Sequence, residues 1–255
     1  MNAASVVGLA VLGVPVGSFL NVVIDRVPDK ARLRGARAGE ACPPVEVLGV
    51  PFQAWLVRRG SRRGTSLPAR WLAVELLTAL LFAVFAARYG DDLVVVPLLV
   101  LAAALVAVSV IDLQLLRIPD RVTFPALAIS VPLVLLVSIR HDVTGSFRGA
   151  LVGSAVYFVA LLIPHLVYPR GMGFGDVKLA LLMGLHLGWL GWSDMHPIYG
   201  PIQLVLYALM LGCALGVVFG LASAMITRRR GEFPFGPALA LACVVVTLFA
   251  ADLAV

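Results

Sequence analysis

A chain of 255 residues that is 61% hydrophobic, only 13% charged and of mean hydropathy +1.00 is not an ordinary soluble domain, since such domains carry about 25% charged residues. The formal net charge of +6 invites nucleic acid as a partner, yet the basic residues follow membrane topology and no nucleic acid is expected. Three scattered cysteines, Cys42, Cys213 and Cys243, make no CxxC pair and give neither a disulfide framework nor a four-cysteine zinc site.

About 20 apolar residues in a helix cross the hydrocarbon layer. Taken in chain order, Ala4–Ile24, Trp71–Ala87, Leu93–Ile111, Val122–Ile139, Ala150–Val167, Val177–Trp192, Ile202–Ile226 and Ala238–Val255 meet or approach that length. The expected fold is therefore all-α: a polytopic membrane protein of about eight transmembrane helices. The N-terminal run has no basic leader or small-residue cleavage site, so it reads as a retained anchor. Pro125, Pro132 and Pro164 fall inside spans, where neighbouring helices can satisfy the carbonyls that proline frees.

Of the 20 Lys and Arg residues, all but Arg88, Arg140 and Arg148 fall on one side of these spans. Positive-inside reasoning puts that side in the cytoplasm and both termini outside. The connection from Asp25 to Arg70 is the sizeable non-membrane piece. Its arginine-rich start, Pro43-Pro44 and few apolar residues suit a small cytoplasmic lobe rather than an independent core.

Among the acidic residues, Glu75, Asp112 and Asp176 touch spans on the cytoplasmic side. Asp112 ends the third span, and Asp176 begins the sixth after a run with glycine at alternate positions, Gly171, Gly173 and Gly175. Carboxylates at the edge of the apolar phase are costly and usually functional. Two that approach closely share one proton, so the ionised member can take a proton from water while the other donates to a peptide carbonyl. No HExxH or Ser-His-Asp arrangement competes, and His141, His165, His186 and His196 are scattered. Each aspartate's own helix dipole favours charge on Asp176, at a helix start, and the proton on Asp112, at a helix end. The glycines would let a substrate backbone approach Asp176, with Lys178 following in the same stretch.

These residues resemble the prepilin peptidases, aspartic proteases of the GxGD type also used by presenilin and signal peptide peptidase. The match lies in Gly173-Phe174-Gly175-Asp176-Val177-Lys178-Leu179 and in Ile111-Asp112 followed by Ile118-Pro119-Asp120. It extends to Gly17-Ser18-Phe19-Leu20-Asn21-Val22-Val23-Ile24-Asp25-Arg26-Val27-Pro28 and to Phe233-Pro234-Phe235-Gly236-Pro237. The resemblance implies Asp112 and Asp176 as the catalytic pair and type IV prepilins or pseudopilins as substrates, cut after a short basic leader at the cytoplasmic face of the bacterial inner membrane. It divides the chain into a first helix (1–24), a lobe (25–70) and a membrane-embedded peptidase domain (71–255). Glu75 is similar in position to an acidic residue of the family and is a candidate supporting residue, though a helix-start carboxylate would read the same way.

The lobe departs from the pattern. Many bacterial members carry two CxxC pairs there, whereas this chain has only Cys42, which argues against zinc. Proteolysis needs no cofactor; S-adenosylmethionine enters only if the chain also methylates the new N-terminus, which the sequence leaves open. The remaining partners are membrane lipid and the prepilin helix. The alternative is an ion- or proton-coupled transporter, whose carboxylates would instead lie at the midplane.

Overall fold

The computed structural model describes residues 3–26, 69–90, 92–141, 144–169, 172–227 and 234–253. Residues 27–68 of the expected lobe, with Cys42, together with Gly171 of the glycine run and Arg228 to Arg230, lie outside the described residues. The described elements are helices: α1 (Ala3–Arg26), α2 (Ala69–Tyr89), α3 (Val95–Leu115), α4 (Asp120–Arg140), α5 (Thr144–Val167), α6 (Phe174–Leu190), α7 (Tyr199–Thr227), α8 (Gly236–Leu248) and the short α9 (Ala250–Leu253). Six of them, α1 to α5 and α7, are long and apolar enough to cross a membrane. The other two expected spans are shorter, α6 with 17 residues and α8 with 13. At 1.5 Å per residue α6 is about 25 Å long, somewhat less than the hydrocarbon layer. Helix α3 runs past Ile111 to Leu115, and α6 begins at Phe174 rather than Val177. Both shifts bring the two aspartates inside helical turns.

The chain forms two compact units, Met1–Val95 and Val96–Val255. The boundary drawn from sequence at residue 71 thus falls inside the first unit, because α2 packs along α1. That contact runs along one stripe of α1. A Cβ on Gly13 would lie 2.5 Å from Ala79 Cα, and one on Gly17 would lie 2.7 Å from Glu75 Cα. One turn on, Asn21 Nδ2 donates to the Trp71 carbonyl at 3.0 Å, and beyond it Asp25 pairs with Arg70. Residues 13, 17, 21 and 25 recur at four-residue spacing, which places them on one face.

The second unit is built on a backbone contact between α5 and α6. A Cβ on Gly153 would lie 2.5 Å from both the Gly184 carbonyl oxygen and Gly188 Cα. One on Gly188 would lie 2.7 Å from Gly153 Cα, and Gly149 would meet the Gly188 oxygen at 2.7 Å. Gly149-xxx-Gly153 on one helix and Gly184-xxx-Gly188 on the other therefore face each other without side chains between. In lipid, where helices gain nothing from hydrophobic exclusion, such close approach is a main source of association. Ser154 Oγ donates to the Leu181 carbonyl at 3.0 Å across the same seam. At the far end of α6, Trp189 Nε1 donates to Ser138 Oγ of α4 at 3.1 Å.

The seam makes a checkable claim. Gly153→Val should destabilise the protein by about 3 kcal/mol, as overpacking does when backbone rather than a flexible side chain must move. Gly8→Val, on α1 with nothing within 4 Å of its added Cβ, should shift the thermal unfolding midpoint in detergent little or not at all. Equal effects of the two would refute the backbone contact.

Candidate active site

Helices α3 and α6 run in opposite directions. At one end His186 of α6, fully buried, places Nδ1 2.9 Å from the Leu182 carbonyl and Nε2 3.2 Å from the Pro97 carbonyl of α3. Both partners are acceptors and a neutral imidazole donates from one nitrogen only, so the ring bonds one of the two carbonyls at a time and bridges to α3 in the tautomer that donates to Pro97. At the other end lie Asp112, in the last turn of α3, and Asp176, in the first turn of α6. Their residues are 6% and 7% exposed, and the charge of Asp112 acts on Asp176. The structure thus brings together the two aspartates singled out from sequence.

Their surroundings differ. Asp112 Oδ2 accepts a hydrogen bond of 3.0 Å from the amide of Gly236, the first residue of α8. Asp176 Oδ1 is buried and no donor among the described residues reaches it. The expectation that Asp112 holds the shared proton counted only each residue's own helix. The start of α8 offers Asp112 the same kind of partial positive charge that Asp176 receives from α6, so that argument no longer separates the two.

The glycines before Asp176 divide in role. A Cβ on Gly173, the N-cap of α6, would meet only Asp176 Oδ2 at 3.4 Å and the Gly175 nitrogen at 3.9 Å. A Cβ on Gly175 would lie 2.7 Å from Ile118 Cβ and 3.4 Å from the Ile118 backbone. Gly175 therefore admits the protein's own α3–α4 connection, not an incoming substrate, and the approach role expected of it passes to Gly173. That connection is set by Leu116, the one described non-glycine residue with positive φ, at 52°. Its amide bonds back to the Asp112 carbonyl at 2.8 Å. A left-handed leucine costs of order 1 kcal/mol, and here it turns the chain so that Ile118 reaches Gly175.

Lys178, half-buried, is already paired within the chain. Its Nζ pairs with Asp120 Oδ1 and Oδ2 at 2.7 and 2.8 Å and lies 5.0 and 5.7 Å from the Phe174 and Phe124 ring centres. It ties the starts of α4 and α6 together rather than lining an approach to Asp176. Glu75 is not a helix-start carboxylate, since α2 begins at Ala69 and has no acidic residue in its first turn. Its residue is 1% exposed and accepts a 2.6 Å hydrogen bond from Ser18 Oγ at Oε1, within the α1–α2 unit. Among the described residues no group of three or more His, Cys, Asp or Glu is placed to hold a metal. The residue that sequence reasoning missed is Gly236. It was visible only as part of the Phe233–Pro237 match, with no role attached.

The profile of the Type IV leader peptidase family matches residues 99–221, and that of the bacterial N-terminal domain of the same peptidases matches residues 11–89. A prepilin leader peptidase/N-methyltransferase of Aeromonas salmonicida is 32% identical over 262 residues, covering 89% of this chain and 84% of that protein. The Xanthomonas campestris protein of the same name is 31% identical over 275 residues, covering 95% and 90%. The one from Myxococcus xanthus is 34% identical over 227 residues, covering 84% and 63%. No solved structure matches the chain.

The Gly175–Ile118 contact can be separated from general damage to the fold. Gly175→Ala should cost about 1–3 kcal/mol of stability, and the cost should shrink in an Ile118→Gly background, where the opposing Cβ is gone. A double-mutant cycle on the unfolding midpoint that shows simple additivity would remove the contact from the account.

Proposed function

From the premise that this chain belongs to the type IV leader peptidase family and is a multi-pass membrane peptidase, we propose that Asp112 and Asp176 cut prepilins or pseudopilins between them. The supporting observation is their placement: two nearly buried carboxylates in end turns of α3 and α6, with the charge of Asp112 acting on Asp176. A pair so placed holds one proton rather than none. The ionised aspartate takes a proton from a water molecule as its oxygen bonds to the scissile carbonyl carbon. The protonated partner gives its proton to the carbonyl oxygen. In the collapse of the resulting gem-diol the aspartate that took the proton from water gives it to the leaving nitrogen, the C–N bond breaks, and the other aspartate takes the proton of one gem-diol hydroxyl, so that the pair again holds one proton. Asp176 Oδ1, buried without a donor among the described residues, is the atom for which such an exchange is most valuable, because an unpaired buried oxygen is otherwise costly.

The proposed setting is the bacterial inner membrane with the pair at the cytoplasmic face, as the distribution of basic residues indicates. A basic leader would be repelled by the many arginines of this face, so attraction must come from the prepilin's apolar helix packing among the spans. The relatives' second named activity, N-methylation, would draw on S-adenosylmethionine. The cavity walled by Tyr207, Leu211, Val245, Val246, Phe249, Asp252 and Leu253 is almost wholly apolar. That lining suits acyl chains and does not fit a charged adenosyl sulfonium.

The test is co-expression with a prepilin encoded in the same genome, read by the shift from precursor to mature form. Asp112→Asn and Asp176→Asn should each reduce cleavage by about 10²–10⁴-fold, the range for loss of an acid–base group, while both proteins still accumulate in the membrane. Intact processing by either variant would end the two-aspartate reading.

A further inference from the structure

Helix α8 begins in an unusual way. Its N-cap residue, Phe235, makes no side-chain capping bond. The first amides of a helix have no partner within it and must find one elsewhere. Here Pro237 has no N–H, and the amides of Ala238 and Leu239 both turn back to the Phe235 carbonyl, at 3.1 and 3.2 Å. One donor is left, the Gly236 amide, and it goes to Asp112 Oδ2. The carboxylate of α3 thus acts as the cap of α8 from more than a hundred residues away in sequence.

Space enforces the same pairing. A Cβ on Gly236 would lie 2.8 Å from Asp112 Oδ2 and 3.3 Å from its carboxyl carbon. Gly236 has no positive φ among the described glycines, so glycine is required here for room rather than for backbone freedom. The loop before it is braced as well. A Cβ on Gly216 of α7 would overlap the Phe235 ring.

We propose that Gly236 is a positioning residue for the peptidase reaction. Its amide fixes Asp112 by Oδ2, sets the rotation of that carboxyl group, and leaves Oδ1 as the oxygen that exchanges the proton with water or Asp176. This rests on the two-aspartate reading above and adds to it a third element, α8, which neither aspartate-bearing helix supplies. The bond is also one that the reaction can use. A main-chain amide cannot rotate away or titrate, so Asp112 keeps one orientation through both protonation states.

The experiment measures kcat and KM for the full-length enzyme in detergent, with a purified prepilin from the same genome. Gly236→Ala should lower kcat about 10²-fold, as a displacement of order 1 Å in a reacting group does, with KM within about twofold of the parent. The control is Gly212→Ala on α7, whose Cβ would press on Leu239 of α8 at 2.8 Å without touching Asp112. It should lower the unfolding midpoint while leaving kcat near the parent value. If Gly236→Ala does not accumulate, Gly216→Ala serves instead, reaching the amide only through the Phe235 ring, and should give a smaller fall in kcat with KM again unchanged. An unaltered kcat in Gly236→Ala, or equal kcat losses in it and Gly212→Ala, would overturn the proposal. Asp112→Asn in the same assay keeps the two ideas apart. If it is inactive while Gly236→Ala is normal, only the positioning role fails; if it cleaves normally, the two-aspartate reading fails with it.

Discussion

Everything in the second unit depends on the bare contact between the backbones of α5 and α6. In water, two helices are pressed together by the apolar surface they hide; in lipid that force is missing, because acyl chains solvate leucine as well as leucine does. What remains is dispersion at very short range, which falls away if a methyl group intervenes. Gly149, Gly153, Gly184 and Gly188 remove every such obstacle along two turns. With α6 held in place, its first turn presents Asp176 and its fourth presents His186, and these two points meet the two ends of α3.

The first unit uses the same device with polar additions. Gly13 and Gly17 bring α1 against α2, and Ser18, Asn21 and Asp25 then bond across the gap to Glu75, Trp71 and Arg70. Polar bonds between helices in lipid contribute modestly, about 0.6 kcal/mol on average. Their greater effect is on register, since a shift by one residue would leave several buried donors and acceptors unmatched. Glu75 has its place in this set, bonded to Ser18, rather than at the start of a helix.

Much of this was legible beforehand, and the parts that were not share a cause. Span positions follow from runs of apolar residues, so they could be read in order along the chain. Contacts across the chain could not. A lipid-bathed helix is apolar nearly all round, so periodicity gave no sign of which face of α5 met α6, although the two Gly-xxx-Gly spacings were present to be noticed. Gly175 looked like room for a ligand because the sequence cannot show that Ile118 already occupies that room. Lys178 looked available because its partner, Asp120, lies in another motif. The dipole reading of Asp112 was incomplete for a related reason: it used the helix that carries the residue and could not include the one whose first amide points at it.

The capping of α8 by Asp112 has a consequence for how the two aspartates can be compared. A residue that is both reagent and helix cap has two ways to fail, and a simple truncation at 112 would provoke both at once: the chemistry is lost, and an amide of α8 loses its acceptor. Truncation at 176 disturbs only its own helix, since the amides beside that carboxyl group are those of Gly173 and Asp176 at the start of α6. The two members of the pair are therefore equivalent in stoichiometry but unequal in architecture. Deleting one unsettles the start of the helix that carries it, and deleting the other loosens a helix far away in the chain.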